Sequence, residues 1–432
     1  MAETSAHCGS SSTGTRQRGA IGRFASPMNV LLLAVYLDYC GVALVVPNLI
    51  FRFTELGGTP ESYGFLSSAY AASQLIGGVI IGFLGDRRLG RKRALQLSFL
   101  GAGISYLTVG VSDSLFFLVV SRVVVGLTKQ TLTCSTAIVT SLSDEASRTQ
   151  ALGRLTSITT FSFIVGQSAG GLLTQRYGRR APCFVAATLF ALNLCLVEML
   201  LPAVRIATRT QAPKERVYNH DRLRASLHRS KEALRGAGGR MLLLRLFYGL
   251  LMRSSYSMHS LYESQEWAVS PAISGTLASY NQILSLVIEW ALVGKLVDRI
   301  PESRLLCICL VLSALNASME YQHRYFYIYA GVHLPISAVV GRISRTCLSS
   351  IFSKAVPIED IGVALSVLDV CNSAINVIAP LYGGLVIGKL GVAAQPLVAS
   401  AHYLVLLAPT WFVVRNVGQQ FRDSERKAEK AD

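Results

Sequence analysis

Gly82-Phe83-Leu84-Gly85-Asp86-Arg87-Arg88-Leu89-Gly90-Arg91-Lys92-Arg93 separates two apolar runs, and the fold follows from that placement. Residues 63–84 before it and 94–112 after it each approach the roughly 20 apolar residues that carry a helix across about 30 Å of hydrocarbon. The basic side chains crowded into the gap cannot enter that hydrocarbon. They hold the loop at an anionic membrane face, so the two runs read as consecutive spans of opposite direction.

The rest of the chain repeats this arrangement. Of 432 residues, 51% are hydrophobic and only 15% charged, too few polar groups to cover one water-soluble globule of this size. A net charge of +16 on a soluble protein would suggest nucleic acid, but the Lys and Arg sit mostly in the gaps between apolar runs, so no nucleic-acid partner is expected. Spans are predicted at 28–50, 63–84, 94–112, 115–138, 152–174, 181–201, 241–262, 273–297, 304–321, 324–346, 360–388 and 393–415. With both termini cytoplasmic, most of the 41 Lys and Arg fall on that side, which sets the predicted orientation.

The predicted class is therefore an all-α, multi-pass membrane protein with twelve transmembrane helices in two six-helix bundles, 28–201 and 241–415. Around them, 1–27 reads as a disordered tail, 202–240 as a basic linker with ten Lys and Arg against Glu215, Asp221 and Glu232, and 416–432 as a charged tail. Anionic lipid headgroups are the expected neighbours of the cytoplasmic loops. The nine cysteines are scattered, all but Cys8 in or beside apolar stretches; they read as packing residues, and no metal or cofactor is expected.

An internal repeat supports two equivalent halves. Gly82-x-x-x-Asp86-Arg87 closes the second predicted span, and Gly294-Lys295-Leu296-Val297-Asp298-Arg299 closes the eighth, about half the chain further on. Gly170-Gly171 in the fifth span is answered by Gly383-Gly384 in the eleventh at nearly the same offset. Repeats of this kind place a substrate site between the halves, near the bilayer midplane.

These motifs resemble those of the major facilitator superfamily, whose loop between the second and third spans reads G-x-x-x-D-R-x-G-R-R/K; here one extra residue separates Asp86 from Gly90. Leu37-Asp38-Tyr39-Cys40-Gly41 is similar to the first span of the tetracycline-exporter branch, and Arg122-x-x-x-Gly126 to the family's buried-arginine motif. Gly166-Gln167-Ser168-Ala169-Gly170-Gly171 resembles its antiporter motif, with Gln167 where that motif has proline. The resemblance implies secondary active transport of a small organic solute by alternating access, with antiport against protons among its forms and a functional carboxylate at Asp38.

Ionisable groups inside spans point to function, because each costs at least about 2.5–3.5 kcal/mol at a helix centre unless paired or hydrated. The candidates are Asp38, Arg122, Lys129, Arg253, Glu289 and Asp369, joined by Asn372 and Asn376, which form with Asp369 a polar stripe ending at the helix breaker Pro380. Asp38 reads either as a carboxylate that takes a proton or cation during the cycle or as a static partner of Arg122 or Lys129. Arg122 either binds an anionic substrate or modulates that carboxylate. Seven residues apart, Arg122 and Lys129 are expected on one face of a continuous fourth helix.

Gly82, Asp86, Arg87, Gly90 and Arg91, with Asp298 and Arg299, are expected to act as a conformational latch that does not touch substrate. The histidines read as satisfied or interfacial, and Trp267 as an anchor at the membrane–water boundary. The excess of basic over acidic groups in the spans favours an anionic or zwitterionic solute. No Walker loop, G-x-S-x-G elbow or H-E-x-x-H pair occurs, so neither ATP drive nor enzyme chemistry is expected. The chain is expected to be a monomer. The alternative is a non-transporting sensor or scaffold that keeps the fold and binds partners or lipid through its basic linker.

Overall fold

The computed structural model describes residues 26–84, 90–202, 236–323 and 325–428. Residues 1–25 of the predicted N-terminal tail, nearly all of the basic linker, and Asp86 and Arg87 of the latch lie outside these residues. Among the described residues the chain is helical almost throughout and contains no strand.

Helix α1 (Pro27–Val45) starts where the Ser26 hydroxyl accepts the Asn29 N–H at 3.3 Å, with Pro27 in the first turn, where a missing donor costs nothing. Pro47 interrupts it, and α2 (Leu49–Glu55) completes the first span. Then follow α3 (Pro60–Leu84), α4 (Arg91–Val111), α5 (Leu115–Thr128), α6 (Thr131–Leu142), α7 (Arg148–Tyr177) and α8 (Ala181–Leu200). The second half runs through α9 (Ala237–Glu266), α10 (Pro271–Ile288), α11 (Gly294–Arg299), α12 (Glu302–Gln322), α13 (Phe326–Ile328), α14 (Leu334–Lys354), α15 (Ile361–Leu390) and α16 (Gln395–Ala428).

Two π-turns, Glu289–Val293 and Tyr329–His333, join α10 to α11 and α13 to α14. Among the described residues, nine helical runs are long and apolar enough to cross a membrane. Where the fifth, seventh and eighth spans were expected, α7, α9 and α10 with α11 are also long helical runs, but more polar. Their polar faces turn inward: α7 packs on α10 across the halves, and α9 lines a cavity.

Each half has its own apolar core. Leu31, Leu95, Phe99 and Phe190 lie in the first; Met241, Leu306, Cys347 and Phe352 in the second. Many large apolar side chains point outward instead, as lipid requires, Phe116 at 69% and Leu192 at 57% exposure among them.

The glycine pairs show how the halves are related. A Cβ on Gly170 would meet the Leu44 carbonyl oxygen of α1 at 2.3 Å, and one on Gly383 the Ser254 carbonyl oxygen of α9 at 2.5 Å. The second glycine of each pair faces the other half: Gly171 the Pro271 carbonyl oxygen at 2.4 Å, Gly384 that of Pro60 at 2.8 Å. Equivalent positions thus seat equivalent helices, one contact within a half and one across the seam. Ser168 and Ser279 close the same seam with a 2.7 Å hydrogen bond.

All these cross-half approaches lie at one end of the molecule, opposite the termini. At the other end a Cβ on Gly82, Gly294 or Gly362 would meet nothing within 4 Å. Among the described residues, the close glycine-marked contacts that seal the halves together all lie at the first end. Two expectations are corrected here. Pro380 does not end its helix, since α15 continues to Leu390, and its carbonyl oxygen lies 2.5 Å from the place a Gly64 Cβ would occupy. The twelfth helix also runs on through Ala428, past the predicted end of the span.

Candidate functional site

Between the halves lies a cavity of about 760 Å³, a size suited to a small organic solute. Tyr39, Tyr63, Tyr70, Tyr106, Arg122 and Lys129 line it from the first half, and Ser373 and Asn376 from α15 of the second. Asp38 is fully buried beside it, bonded through Oδ1 to the Lys129 ammonium and to the Thr131 hydroxyl at 3.2 Å. Its Oδ2 has no hydrogen-bond partner. The Lys129 ammonium also lies 4.9 Å from the centre of the Phe190 ring, in cation–π range.

The fourth span is broken where this pair forms, which corrects the expectation of one continuous helix. Helix α5 stops at Thr128, and Lys129 takes an extended ψ of 87°. The Gln130 N–H, freed from the ladder, goes to Ser98 Oγ at 3.1 Å, and that hydroxyl lies 2.9 Å from Thr131 Oγ1. Side chains of the third span thus substitute for the missing backbone bond. The break swings Lys129 onto Asp38, leaving Arg122 one level away.

Arg122 is only 5% exposed; one of its Nη atoms lies 3.4 Å from Ser105 Oγ, and its guanidinium sits 5.1 Å from the Tyr106 ring centre. It has no carboxylate partner among the described residues. Of the two arginine and lysine candidates in this half, then, one is neutralised and one is not.

The second-half candidates are set differently. Arg253 bonds the Asn376 side-chain oxygen and, at 3.3 Å, the Asn372 carbonyl, so three of the predicted polar residues come together at the cavity wall. Glu289 sits in the π-turn, exposed, and pairs with Arg342 at 3.2 Å. Asp369 is exposed on α15 and does not join them. Of the latch, Gly82, Asp298 and Arg299 are exposed at the end away from the glycine seams, and Gly90 caps α4 with φ of +75°, a value that favours glycine. Arg91 opens that helix.

A second cavity, of about 490 Å³, was not anticipated from the sequence. His259, Glu263, Glu320 and Tyr329 line it with Gln167, Asn281 and Ser285. Trp267 does not simply anchor at an interface: its ring packs 4.3 Å from that of Tyr329. At the sealed end of the first half, Arg52 ties Glu55 at 2.9 Å to Asp113 at 2.5 Å, and Arg180 also reaches Asp113. Those two guanidinium groups hold the Asp113 carboxyl below the usual carboxylate range.

Comparison with known proteins agrees with this architecture. Solute carrier family 22 member 18 of Rattus norvegicus is 26% identical over 87% of this chain and 93% of its own length. The class C tetracycline resistance protein of Escherichia coli is 31% identical over 43% of this chain and 47% of its own. Among solved structures, a bacterial homolog of the human lysosomal transporter Spinster, inward-facing and unoccupied, aligns with a TM-score of 0.71 at 14% identity, covering 91% of this chain and 97% of that one. The human organic anion transporter MFSD10 (TETRAN) aligns at 0.58 and 19% identity, over 90% of this chain and 98% of that one. The family model of the Major Facilitator Superfamily matches residues 31–315. With two helical halves sealed at one end around a polar cavity, and that match over more than half its length, the chain belongs to the major facilitator superfamily and is a secondary membrane transporter.

Proposed function

We propose that this transporter carries a small organic anion or zwitterion, with Arg122 as the anion contact and the Asp38–Lys129 pair as its proton-sensitive element. The observation that carries this reading is Arg122 itself: a buried guanidinium on the cavity wall with no carboxylate partner among the described residues. A buried charge without a counter-charge is costly, and a bound anion supplies that counter-charge. Lys129 is the contrast, its charge already met by Asp38.

A proton taken up by Asp38 at Oδ2, the oxygen without a partner, would neutralise the carboxylate, end the ion pair and free the Lys129 ammonium, adding a second cation beside the solute. Proton and anion would then favour one another's binding, the condition for coupled transport. With the positive-inside orientation the end away from the glycine seams faces the cytoplasm, and rocking of the halves about the α3–α15 and α7–α10 contacts would expose the cavity to the other side.

The test is a thermal-stabilisation screen of purified protein against a panel of organic anions, zwitterions and cations, run on wild type and Arg122→Ala. An anion or zwitterion should raise the melting temperature of wild type and leave the variant unmoved. Stabilisation by cations alone, or equal stabilisation of both proteins, would defeat the reading.

A further inference from the structure

The second cavity holds titratable side chains that the anion reading does not use. Tyr329 donates its hydroxyl hydrogen to Glu263 Oε1 at 2.7 Å, and His259 Nε2 lies 2.6 Å from the same hydroxyl. A tyrosine has one hydrogen to give, so His259 must be the donor in the second bond, and the chain runs His259 to Tyr329 to Glu263. His259 Nε2 is also 3.4 Å from Glu263 Oε1. Glu263 Oε1 is therefore the acceptor at the end of this chain.

Glu320, on α12, lines the same cavity and is only 6% exposed, and its Oε1 has no hydrogen-bond partner. The titratable groups that face it are His259 and Glu263 of α9, Tyr329 in the π-turn before α14, and Tyr403 of α16. Arg342 and Arg345 of α14 line the cavity as well, Arg342 being paired with Glu289. No cation contacts Glu320 among the described residues. Glu263 already accepts the Tyr329 hydrogen, so of the two buried carboxyl groups it is Glu320 that keeps an oxygen no donor reaches among the described residues.

We propose that Glu320 is a proton-binding site, holding an exchangeable proton on its carboxyl group, with Glu263, Tyr329 and His259 as the hydrogen-bonded group that carries the compensating charge. This site is separate from Asp38, in the other half of the molecule. Glu263 lies one turn from the end of α9, on the sealed side of the seam. A proton here leaves toward the cavity in the present arrangement and toward the opposite face once the seam parts. That is the exposure a co-transported proton needs.

The site provides its own reporter. Of the three tryptophans, Trp267 packs against Tyr329, at 4.3 Å, and Tyr262, at 5.1 Å. In a Trp290→Phe, Trp411→Phe background, Trp267 emission from purified protein should pass through one transition between about pH 5 and pH 9. Glu320→Gln, which keeps the shape and cannot titrate, should lose that transition and take up one proton fewer over the range by potentiometric titration. Asp38→Asn should retain it.

No solute is present in these measurements, so they stand whether or not the anion reading does. Superimposable titrations of the parent and Glu320→Gln would overturn the proposal, and so would loss of the transition in Asp38→Asn. If Glu320→Gln does not yield monodisperse protein, Glu320→Asp should keep the transition with a displaced midpoint; an unchanged midpoint and amplitude would equally overturn it.

Discussion

The two halves share one architecture and treat charge in opposite ways. In the first half Asp38 is fully buried and bonded to Lys129, itself 8% exposed, while Arg122 lines the same cavity with no carboxylate partner among the described residues. In the second half the groups first picked out from the sequence are wetter: Glu289 and Asp369 are exposed, and Arg253 is met by neutral amides. The buried acids there are Glu263 and Glu320, nearer the sealed end. Duplication has preserved the glycine seams that join helices, and left each half free to place its ionisable groups at a different depth.

The largest effect should come from breaking the dry ion pair. Lys129→Ala leaves the Asp38 carboxylate buried without its cation, and the loss should be about 3–5 kcal/mol, read as a lowered thermal midpoint. Asp38→Asn with Lys129→Gln should recover most of it; no recovery would show that the side chains act separately. The corresponding change in the second half, Arg342→Ala, removes a pair whose acid is exposed and should cost about 1 kcal/mol or less.

Next is Arg122→Lys, which keeps the charge and loses the planar fork. Anion-dependent stabilisation or flux should fall by about tenfold, or ~1.4 kcal/mol, with the empty protein's melting temperature little changed. Retention of full anion affinity would remove Arg122 from the site. Gly275→Val probes the seam, since a Cβ there would meet the Gln167 carbonyl oxygen at 2.3 Å. Cysteines at Ser168 and Ser279, whose hydroxyls are hydrogen-bonded in the closed seam, should then crosslink about tenfold less as the population shifts toward an opened end.

The smallest effect belongs to the surface network. Asp113 is exposed, and Arg52 and Arg180 lower its folded-state pKa, so its contribution is present above the unfolded pKa and is lost as pH falls through the folded one. Asp113→Asn should flatten the acid limb of a stability–pH curve by a small amount. An unchanged limb would mean that solvent screens the network completely.

Much of this site could be read in the chain. An ionisable residue inside a 20-residue apolar run is conspicuous, and Arg122 and Lys129 do line one cavity, with Asp38 buried against Lys129. Their pairing was not legible, because helical periodicity puts Arg122 and Lys129 on one face and gives no preference between them. The choice is made by Ser98, in another helix, which takes up the Gln130 N–H and lets the span break at Lys129. Glu320 and His259 read as ordinary residues for a related reason: each sits near a span end, where an ionisable residue is unremarkable, and only the tertiary structure shows Glu320 buried and His259 hydrogen-bonded to Tyr329.

By itself the sequence determined the membrane class, the approximate spans and the repeat, because hydrocarbon forces long apolar helices and strands the charges between them. The Gly82–Arg93 stretch belongs to that layer. Tertiary structure decided which end is sealed, which cation is neutralised and which acid is left without a partner. Those outcomes depend on contacts between residues far apart in the chain, where a few ångströms separate a satisfied charge from a binding site.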